Sequence, residues 1–351
     1  MRICFVQPSL DTGRDGVADY VARLSQELRA LGHECRSFVP QPDNAADFKS
    51  VMREAPVDWL SLQWVPFGFH PKGLPKWFPK WIEEVGEFPP RRHWMFHELW
   101  LGLSSSDRLR YRLWGFRQRQ ITQQLLRRWQ PRCVHTQAAF YRSVLEHHDI
   151  PAGLLPLFGN VPIVAGTVSP LEVFRPYPED EWLRMVHFGR VHPELDLDSW
   201  AQDLLARVGY MGKRGLVLFA GRSLRNQGWL DACNERFGPD LVFRETGELE
   251  SAELSRLFRQ AHWGLSSTPW QLTDKSGSVA ALLEHGLPVL VWRNDFVGRP
   301  RYGIHEHAFS HCFLAEQLPV QDSARMRRHS PQSRLAAVAR QFVDDLKTCA
   351  S

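Results

Sequence analysis

Short apolar runs alternate with amphipathic segments from the first residues onward, and the alternation starts again halfway along the chain. "RICFVQP" (2–8) is an apolar, β-favouring run bounded by Pro8 and Ser9. A turn-rich "SLDTGRDG" follows. Then Val17, Tyr20, Val21, Leu24, Leu28 and Leu31 recur at helical spacing until Gly32 stops them. "ECRSFVP" is the next strand. Strand, glycine loop, helix, strand is the opening of a parallel sheet with helical crossovers. Further strands are expected within 57–66, 91–100 and 132–137 and at 154–162, with a long helix over 104–129. Residues 163–181 carry prolines without a period and read as a linker. Strands resume at 185–189, 216–221, 241–246, 263–268 and 288–292, with helices near 198–208, 227–237, 251–260 and 277–285. Ser330 as N-cap and Pro331 at the first helical position open a closing helix. The expectation is an α/β chain of two Rossmann-like, doubly wound domains facing a central cleft. The first spans 1–165 and the second 166–329, with the helix of 330–351 returning to the first domain. Such sheets bind ligands at the carboxyl ends of their strands, and a cleft between two domains is the natural site.

A length of 351 residues lets each half bury a core of its own. The N-terminus lacks the apolar core of a signal peptide, and no run of about 18 apolar residues occurs. Cys4, Cys35, Cys133, Cys233, Cys312 and Cys349 form no C-x-x-C pair. That argues against a disulfide framework or zinc ribbon and for a reducing cytoplasm. The net charge of +4 is mild, and the basic residues concentrate in one segment, so nucleic acid is not an expected partner. That segment, 104–129, interleaves Arg108, Arg110, Arg112, Arg117, Arg119, Arg127 and Arg128 with Leu, Tyr, Trp and Phe. It reads either as a solvated face with arginine stems packed on aromatics or as a surface for anionic lipid. "KGLPKWFPKWIEEV" (72–85) adds lysines and aromatics in the same half. The expected location is the cytoplasm, with peripheral attachment at the inner membrane face as the lipid reading. "HEHAFSHC" (305–312) offers His305, His307, His311 and Cys312. His307 and His311 have the spacing of a zinc pair on one helical face, but Cys312 reads as the start of a strand. No metal and no cofactor are expected.

The strongest chemical signal is "TDKSGSVAALLEHGLPVLV" (273–291). Ser276, Gly277 and Ser278 open a helix directly after a strand and loop. Free N–H groups and the helix dipole there favour an anion such as phosphate, and Gly277 permits close approach of backbone. Glu284, seven residues after Gly277, lies about 20° away on the helical wheel and so on the same side. From this segment alone, a phosphate and ribose site and a plainly capped amphipathic helix are equally good readings.

Four stretches in order resemble GT-B glycosyltransferases of the retaining, family-4 type. "FRETGELESAELSRLFRQAHWGLSSTPWQLTDKSGSVAALLEHGLPVLVW" is similar to their donor-nucleotide half. "VHFGRVHPE" (186–194) is similar to a strand and Gly-Arg turn. "PSLDTGRDGVADYVARLSQELRALGHEC" resembles their N-terminal glycine loop and first helix, and "WMFHELW" their strand-end histidine. The resemblance implies that Arg190 holds the donor diphosphate, with Gly189 giving access. It implies that Glu284 contacts the ribose and that His97 faces the donor sugar. Backbone near "TGELE" (246–250), including Gly247, lies where the base is recognised. In the family the corresponding loop borders the acceptor or the donor phosphates, which implies that place for Gly13, Asp15, Gly16 and Asp19.

The chain also departs from that pattern. Eight residues before Glu284 the family has an acid, and here stands Ser276. The lysine that follows the family's Gly-Arg turn is absent, and "GRVHPELDLDSW" carries Glu194, Asp196 and Asp198 instead. Lys275 is the candidate replacement. The resulting expectation is a hexosyl-type glycosyltransferase of polysaccharide biosynthesis. It takes a nucleotide-sugar donor and a glycan or lipid-linked acceptor. It needs no metal, because positive groups of the chain itself face the leaving diphosphate. Arg190, Lys275 and the N–H groups of Gly277 and Ser278 stabilise the leaving diphosphate. A non-catalytic scaffold or sugar-nucleotide sensor of the same fold is the alternative. An epimerase or hydrolase is a third reading, with Glu98 as its candidate carboxylate.

Overall fold

The computed structural model describes every residue except 14, 87–90, 167–168, 222–226, 304–308 and 351. The chain divides into two compact units. Unit 1 comprises Met1–Pro156, Val297–Glu306 and Leu335–Ser351, and unit 2 comprises Leu157–Phe296 and His307–Arg334.

Unit 1 runs β1 (Arg2–Val6), α1 (Gly16–Ala30), β2 (Glu34–Phe38), α2 (Ala45–Glu54), β3 (Trp59–Trp64), α3 (Pro66–Phe69), α4 (Phe78–Val85), β4 (Arg92–Phe96), α5 (Leu109–Trp129), β5 (Cys133–Thr136), α6 (Ala139–Glu146) and β6 (Gly153–Leu154). Its strands form one parallel sheet in the order β2-β1-β3-β4-β5-β6. Ile3, Cys4, Phe5 and Val6 are all fully buried, as expected of a strand covered by helices on both faces. Much of the chain's tryptophan lies here. Trp64, Phe69, Phe78 and Trp81 stack in sequence beside β3 and α4, with Trp94 tilted against Trp64.

Unit 2 runs β7 (Trp182–Phe188), α7 (Leu197–Tyr210), β8 (Arg214–Ala220), α8 (Gln227–Phe237), β9 (Leu241–Gly247), α9 (Ser251–Gln260), β10 (Trp263–Ser266), α10 (Gly277–Glu284), β11 (Val289–Val291) and β12 (Cys312–Leu314). Its parallel sheet has the order β12-β11-β10-β7-β8-β9. The chain moves outward from β7 to β9 and then returns to β10 on the other flank of β7. The topological switch therefore lies between β7 and β10, where doubly wound sheets open a crevice for ligands. The closing helix, α11 (Leu335–Thr348), belongs with unit 1.

Three expected elements differ. The strand at 154–162 shrinks to Gly153–Leu154, because after Leu155 N–H reaches Thr136 C=O (3.0 Å) the chain meets Pro156 and leaves the sheet. The arginine-rich helix begins at Leu109 rather than 104. Ser104 pairs with Gly298 in an isolated bridge, and its N–H donates to Asp107 Oδ2 at 2.8 Å. The closing helix starts at Leu335, so Ser330 is not its cap. Residues 329–334 are instead tied to the end of α10: His329 N–H donates to Gly286 C=O (3.0 Å) and Gln332 N–H to Glu284 C=O (2.8 Å). Gly286 is required there. Its φ is +81°, and a Cβ would stand 2.2 Å from His329 O.

Candidate functional site

At the switch point, β7 ends in Phe188 and turns through Gly189, whose φ of +90° is glycine territory. Two neighbours crowd that turn. A Cβ on Gly189 would meet Ser278 Oγ at 2.8 Å, and one on Gly221, just past β8, would lie 3.5 Å from Gly189 N. The Gly-Arg turn and the N-terminus of α10, ninety residues apart in sequence, are thus in contact. Ser267, just past β10, joins them. Its hydroxyl meets His187 Nε2 at 3.2 Å, accepts from His192 N–H at 3.0 Å and donates to Arg190 C=O at 3.4 Å. Burial pushes the His187 imidazole down to about 4, so the ring is neutral in its place beneath the turn.

The first turn of α10 is built by its cap. Ser276 Oγ accepts from Val279 N–H at 3.3 Å and from Thr268 Oγ1 at 3.3 Å. The Ser276 side chain therefore serves the helix, and Gly277 and Ser278 are the residues that present first-turn N–H groups. Asn160 stands opposite, its Cγ 3.9 Å from where a Cβ on Gly277 would be. Lys275, half-buried, ends the short 3₁₀ segment Trp270–Lys275 that leads into the cap. Arg190 is exposed, with its backbone fixed by Ser267. Arg293 is a third nearby cation, but its charge is already matched. Its guanidinium meets Glu194 Oε2 (2.7 Å) and both oxygens of Asp295. Of the acids expected after the Gly-Arg turn, Glu194 is thus absorbed by Arg293, and Asp196 caps α7. Gly247 ends β9 with φ +69°, at the edge of the sheet and separated from β7 by β8.

Glu284 is drawn into the interior of unit 2. It is the last residue of α10 and is 2% exposed. Its Oε1 accepts from Gly159 N–H at 3.0 Å and from Arg334 N–H at 3.1 Å, with Arg334 Nε 3.6 Å away. Gly159 has to be glycine for this contact, since a Cβ would lie 2.7 Å from Ala281 Cα and 3.1 Å from Glu284 Oε2. The carboxylate buckles two loops of unit 2 to the helix end. Its Oε1 is thereby committed to protein, while Oε2, also buried, has no hydrogen-bond partner among the described residues.

In unit 1, His97 follows β4 at the carboxyl edge of the sheet and is 7% exposed. Its Nε2 lies 2.8 Å from Gln63 Oε1, and Tyr20 packs edge-on against the ring at 4.9 Å. In the glycine loop the carboxylates have local work. Asp15 Oδ1 caps α1 by accepting from Val17 and Ala18 N–H, and Asp19 Oδ1 accepts from Gly13 N–H at 2.6 Å. Gly13 takes φ +82°, and a side chain at Gly16 would meet open space. His305 and His307 lie outside the described residues. Cys312 does begin a strand, and His311 stacks on His329 at 4.4 Å.

Sequence reasoning missed Ser267, Thr268 and Asn160 as parts of this junction. The signal was the polar "SSTP" after an apolar strand, which marks a strand's carboxyl end without saying what it touches.

No protein-family model matches the sequence, and no curated protein matches it. Solved structures do. The chain resembles HepE of Anabaena, solved with UDP and glucose, at a TM-score of 0.59 and 10% identity, covering 99% of this chain and 100% of that one. WaaG, a glycosyltransferase involved in lipopolysaccharide biosynthesis, matches at 0.52 and 14%, covering 99% and 98%. A UDP-GlcNAc 2-epimerase from Neisseria meningitidis, bound to UDP-GlcNAc, matches at 0.51 and 11%, covering 99% and 100%. At such identities the likeness is one of fold. The chain has the GT-B architecture of two Rossmann-like domains, each a six-stranded parallel sheet flanked by helices.

Proposed function

We propose that this chain is a glycosyltransferase that moves a sugar from a nucleoside-diphosphate donor to a glycan or lipid-linked acceptor. One observation carries the reading: in unit 2 the Gly189–Arg190 turn and the first turn of α10 meet at the switch point. Backbone N–H groups of Gly277 and Ser278, the α10 dipole, Arg190 and Lys275 then form an electropositive seat at the carboxyl ends of β7 and β10. Such a seat suits a diphosphate. Glycosyl transfer develops negative charge on that leaving group, so preorganised donors favour the transition state. Retention at the anomeric carbon and the sugar-facing role of His97 belong to this proposal through the resemblance to the family-4 type. Unit 1 is the acceptor-side unit in the same reading. The ribose contact passes from Glu284 to groups the proposal leaves unassigned.

HepE structures with UDP and with UDP-glucose make uridine nucleotides the first donors to try. The test is thermal-shift screening with UDP-, GDP-, ADP- and TDP-sugars, followed by turnover with the nucleotide that binds. A clear shift with one nucleotide, lost in Arg190→Ala, supports the proposal. No shift with any of them sinks it.

The likeness to a UDP-GlcNAc 2-epimerase favours one second reading. Glu98, half-buried just after His97, is the carboxylate that reading would use. Conversion of the donor to its 2-epimer without an acceptor would select it.

We also propose that α5 meets an anionic membrane surface. No helix among the described residues is long and apolar enough to cross a membrane. The first half of α5 nevertheless exposes Leu109 (69%), Leu113 (60%) and Phe116 (49%) beside Arg110, Arg112 and Arg117. Trp114 Nε1 donates to Lys72 C=O at 2.9 Å, which brings the lysine-bearing 72–76 loop alongside. Aliphatic and aromatic side chains among cations suit a headgroup layer.

A further inference from the structure

A line of hydrogen-bonded side chains crosses the interior of unit 1. It begins at His97, whose Nε2 lies 2.8 Å from Gln63 Oε1. Gln63 Nε2 donates to Ser61 Oγ at 2.6 Å, and Ser61 Oγ lies 2.7 Å from His93 Nδ1. His93 Nε2 is 3.0 Å from His135 Nδ1, and His135 Nε2 is 3.1 Å from Asp345 Oδ2 on α11. Ser61, Gln63, His93 and His135 are each at most 3% exposed, so each polar atom depends on its protein neighbours. Asp345 lies at the end that solvent reaches, with its side chain 37% exposed.

The donor and acceptor order of this line is fixed from the Asp345 end. An ionised carboxylate only accepts, so His135 must donate from Nε2. In a neutral imidazole that makes His135 Nδ1 an acceptor, and His93 must donate to it from Nε2. His93 Nδ1 is then an acceptor, and the Ser61 hydroxyl donates to it. Ser61 Oγ accepts the Gln63 amide, whose oxygen accepts His97 Nε2–H. No donor in the line lacks an acceptor. Burial pushes His93 well below the usual histidine range, with the neighbouring His135 and His97 adding to it. Burial lowers His135 too, against the raising effect of Asp345. Both rings are therefore neutral, as the order requires.

We infer that Asp345 is a positioning residue for His97: through His135, His93, Ser61 and Gln63 it selects the Nε2–H tautomer of His97 and holds the ring's orientation. The link orients and does not conduct protons, because the Gln63 amide cannot pass one along. It makes α11, far away in sequence, part of the support of a strand-end histidine. The inference deepens the proposed function, resting on it for the use of His97 but not for the tautomer. A metal reading of the same residues is the alternative. His93, Cys133 and His135 do place ligand atoms within 4.8 Å of one another, a donor set that suits zinc. Yet a metal on His93 Nε2 would make His93 Nδ1 a donor. The order toward His97 would then have to reverse, with the Gln63 amide turned over and His97 Nε2 unprotonated, so the His97 tautomer itself separates the two readings.

The experiment is ¹⁵N NMR of the imidazole nitrogens in the full chain at neutral pH, with zinc content measured on the same sample. The wild type should show His93, His97 and His135 all as Nε2–H tautomers. Asp345→Leu should make all three rings lose that single tautomer, and Asp345→Glu should restore it. Gln63→Leu should release His97 alone. If wild-type His93 or His135 carries its proton on Nδ1, or if one equivalent of zinc accompanies an unprotonated His93 Nε2, the inference is overturned without any variant. Donor turnover is read separately. Asp345→Leu should lower kcat at unchanged KM. Shifted tautomers with unchanged kcat would keep the relay and remove His97 from the reaction.

Discussion

Replacing Glu284 by Gln separates a ligand-binding acid from an internal buckle. Its Oε1 accepts two backbone N–H groups, those of Gly159 and Arg334, and it faces the Arg334 guanidinium at 3.6 Å. Glutamine keeps an acceptor in place but discards the charge. A hydrogen bond to a charged group contributes about 1.5–3 kcal/mol and a neutral one about 0.5–1.5, so the two bonds together lose about 2 kcal/mol. The ion pair adds at most about 1 kcal/mol, because the Arg334 side chain is 29% exposed and screened by water. A loss of about 2–3 kcal/mol in a unit of this size lowers its Tm by about 4–12 °C. Glu284→Ala, which removes the carboxylate that Arg334 pairs with, should cost more, about 3–5 kcal/mol. Calorimetry would give the Tm, and titration with the donor found by screening would give affinity at a temperature where both proteins are folded. The expected pair is a lowered Tm with donor affinity changed less than about twofold. A Tm within about 1 °C of wild type, together with donor binding at least about tenfold weaker, would refute the buckle and return the carboxylate to the ribose.

Other expectations follow from the same geometry. Gly189→Ala forces a side chain into φ +90° and against Ser278 Oγ. It should cost about 1–3 kcal/mol in urea unfolding and weaken donor binding, and Ser278→Gly in the same chain should recover only the part due to the clash. Burial holds both His187 and His262 down to about 4. The folded state resists protonation between pH 6.5 and 4 while the unfolded chain accepts it, so stability is full above about pH 6.5 and falls as pH is lowered. Each ring contributes a slope of up to about 1.4 kcal/mol per pH unit, read from urea midpoints at pH 7 and 5; midpoints that do not fall would show that the rings are charged or exposed. Reversing Arg110, Arg112 and Arg117 to Glu should abolish flotation with anionic vesicles while leaving the Tm nearly unchanged; absence of wild-type flotation at low salt would dismiss the membrane surface.

The βαβ alternation was legible because buried parallel strands are nearly continuous apolar runs, such as "LVLFA" in β8, closed by glycine or polar residues. The helices α2, α4 and α6 were not assigned. α4 begins "FPKW" and is eight residues long, too short to show a period around its proline. Capping by Asp15 and Asp196 is local, set by the N–H groups two and three residues on, yet the sequence reading gave Asp15 to the cleft loop and Asp196 to the acids after the Gly-Arg turn. The one cap it named was Ser330, which failed because the hydrogen bonds that decide that segment come from Gly286 and Glu284, more than forty residues earlier. The helical wheel put Glu284 on the same side of α10 as Gly277 but could not show that Gly159 and Arg334 hold one of its oxygens. The polar line from His97 to Asp345 was invisible for the same reason. Ser61 and Gln63 lie in β3, His93 in β4 and His135 in β5, and only the register of the three strands brings them side by side.

The substitution at 276 acquires a physical meaning from the cap. In the resembling family an acid stands there, at the mouth of the phosphate-facing helix. Here Ser276 satisfies Val279 N–H, a task to which serine is well suited, and no carboxylate opposes the positive end of α10 at that position. Lys275 adds a cation at the adjacent residue. The seat should therefore favour the diphosphate and contribute less to orienting the sugar. The expected consequence is that the bare nucleoside diphosphate binds nearly as tightly as the nucleotide-sugar. Lys275→Ala should weaken both about tenfold or more, the loss of about 1.5–3 kcal/mol for one charge-assisted contact. Ser276→Glu should weaken the bare diphosphate more than the nucleotide-sugar, since the added carboxylate repels phosphate while gaining sugar hydroxyls as partners. Calorimetric titration of the three proteins with both ligands decides it. If Lys275→Ala binds both as the wild type does, Lys275 does not serve the diphosphate and the replacement of the family's cation is wrong. If Ser276→Glu weakens the two ligands equally, the added acid acts only through the lost cap.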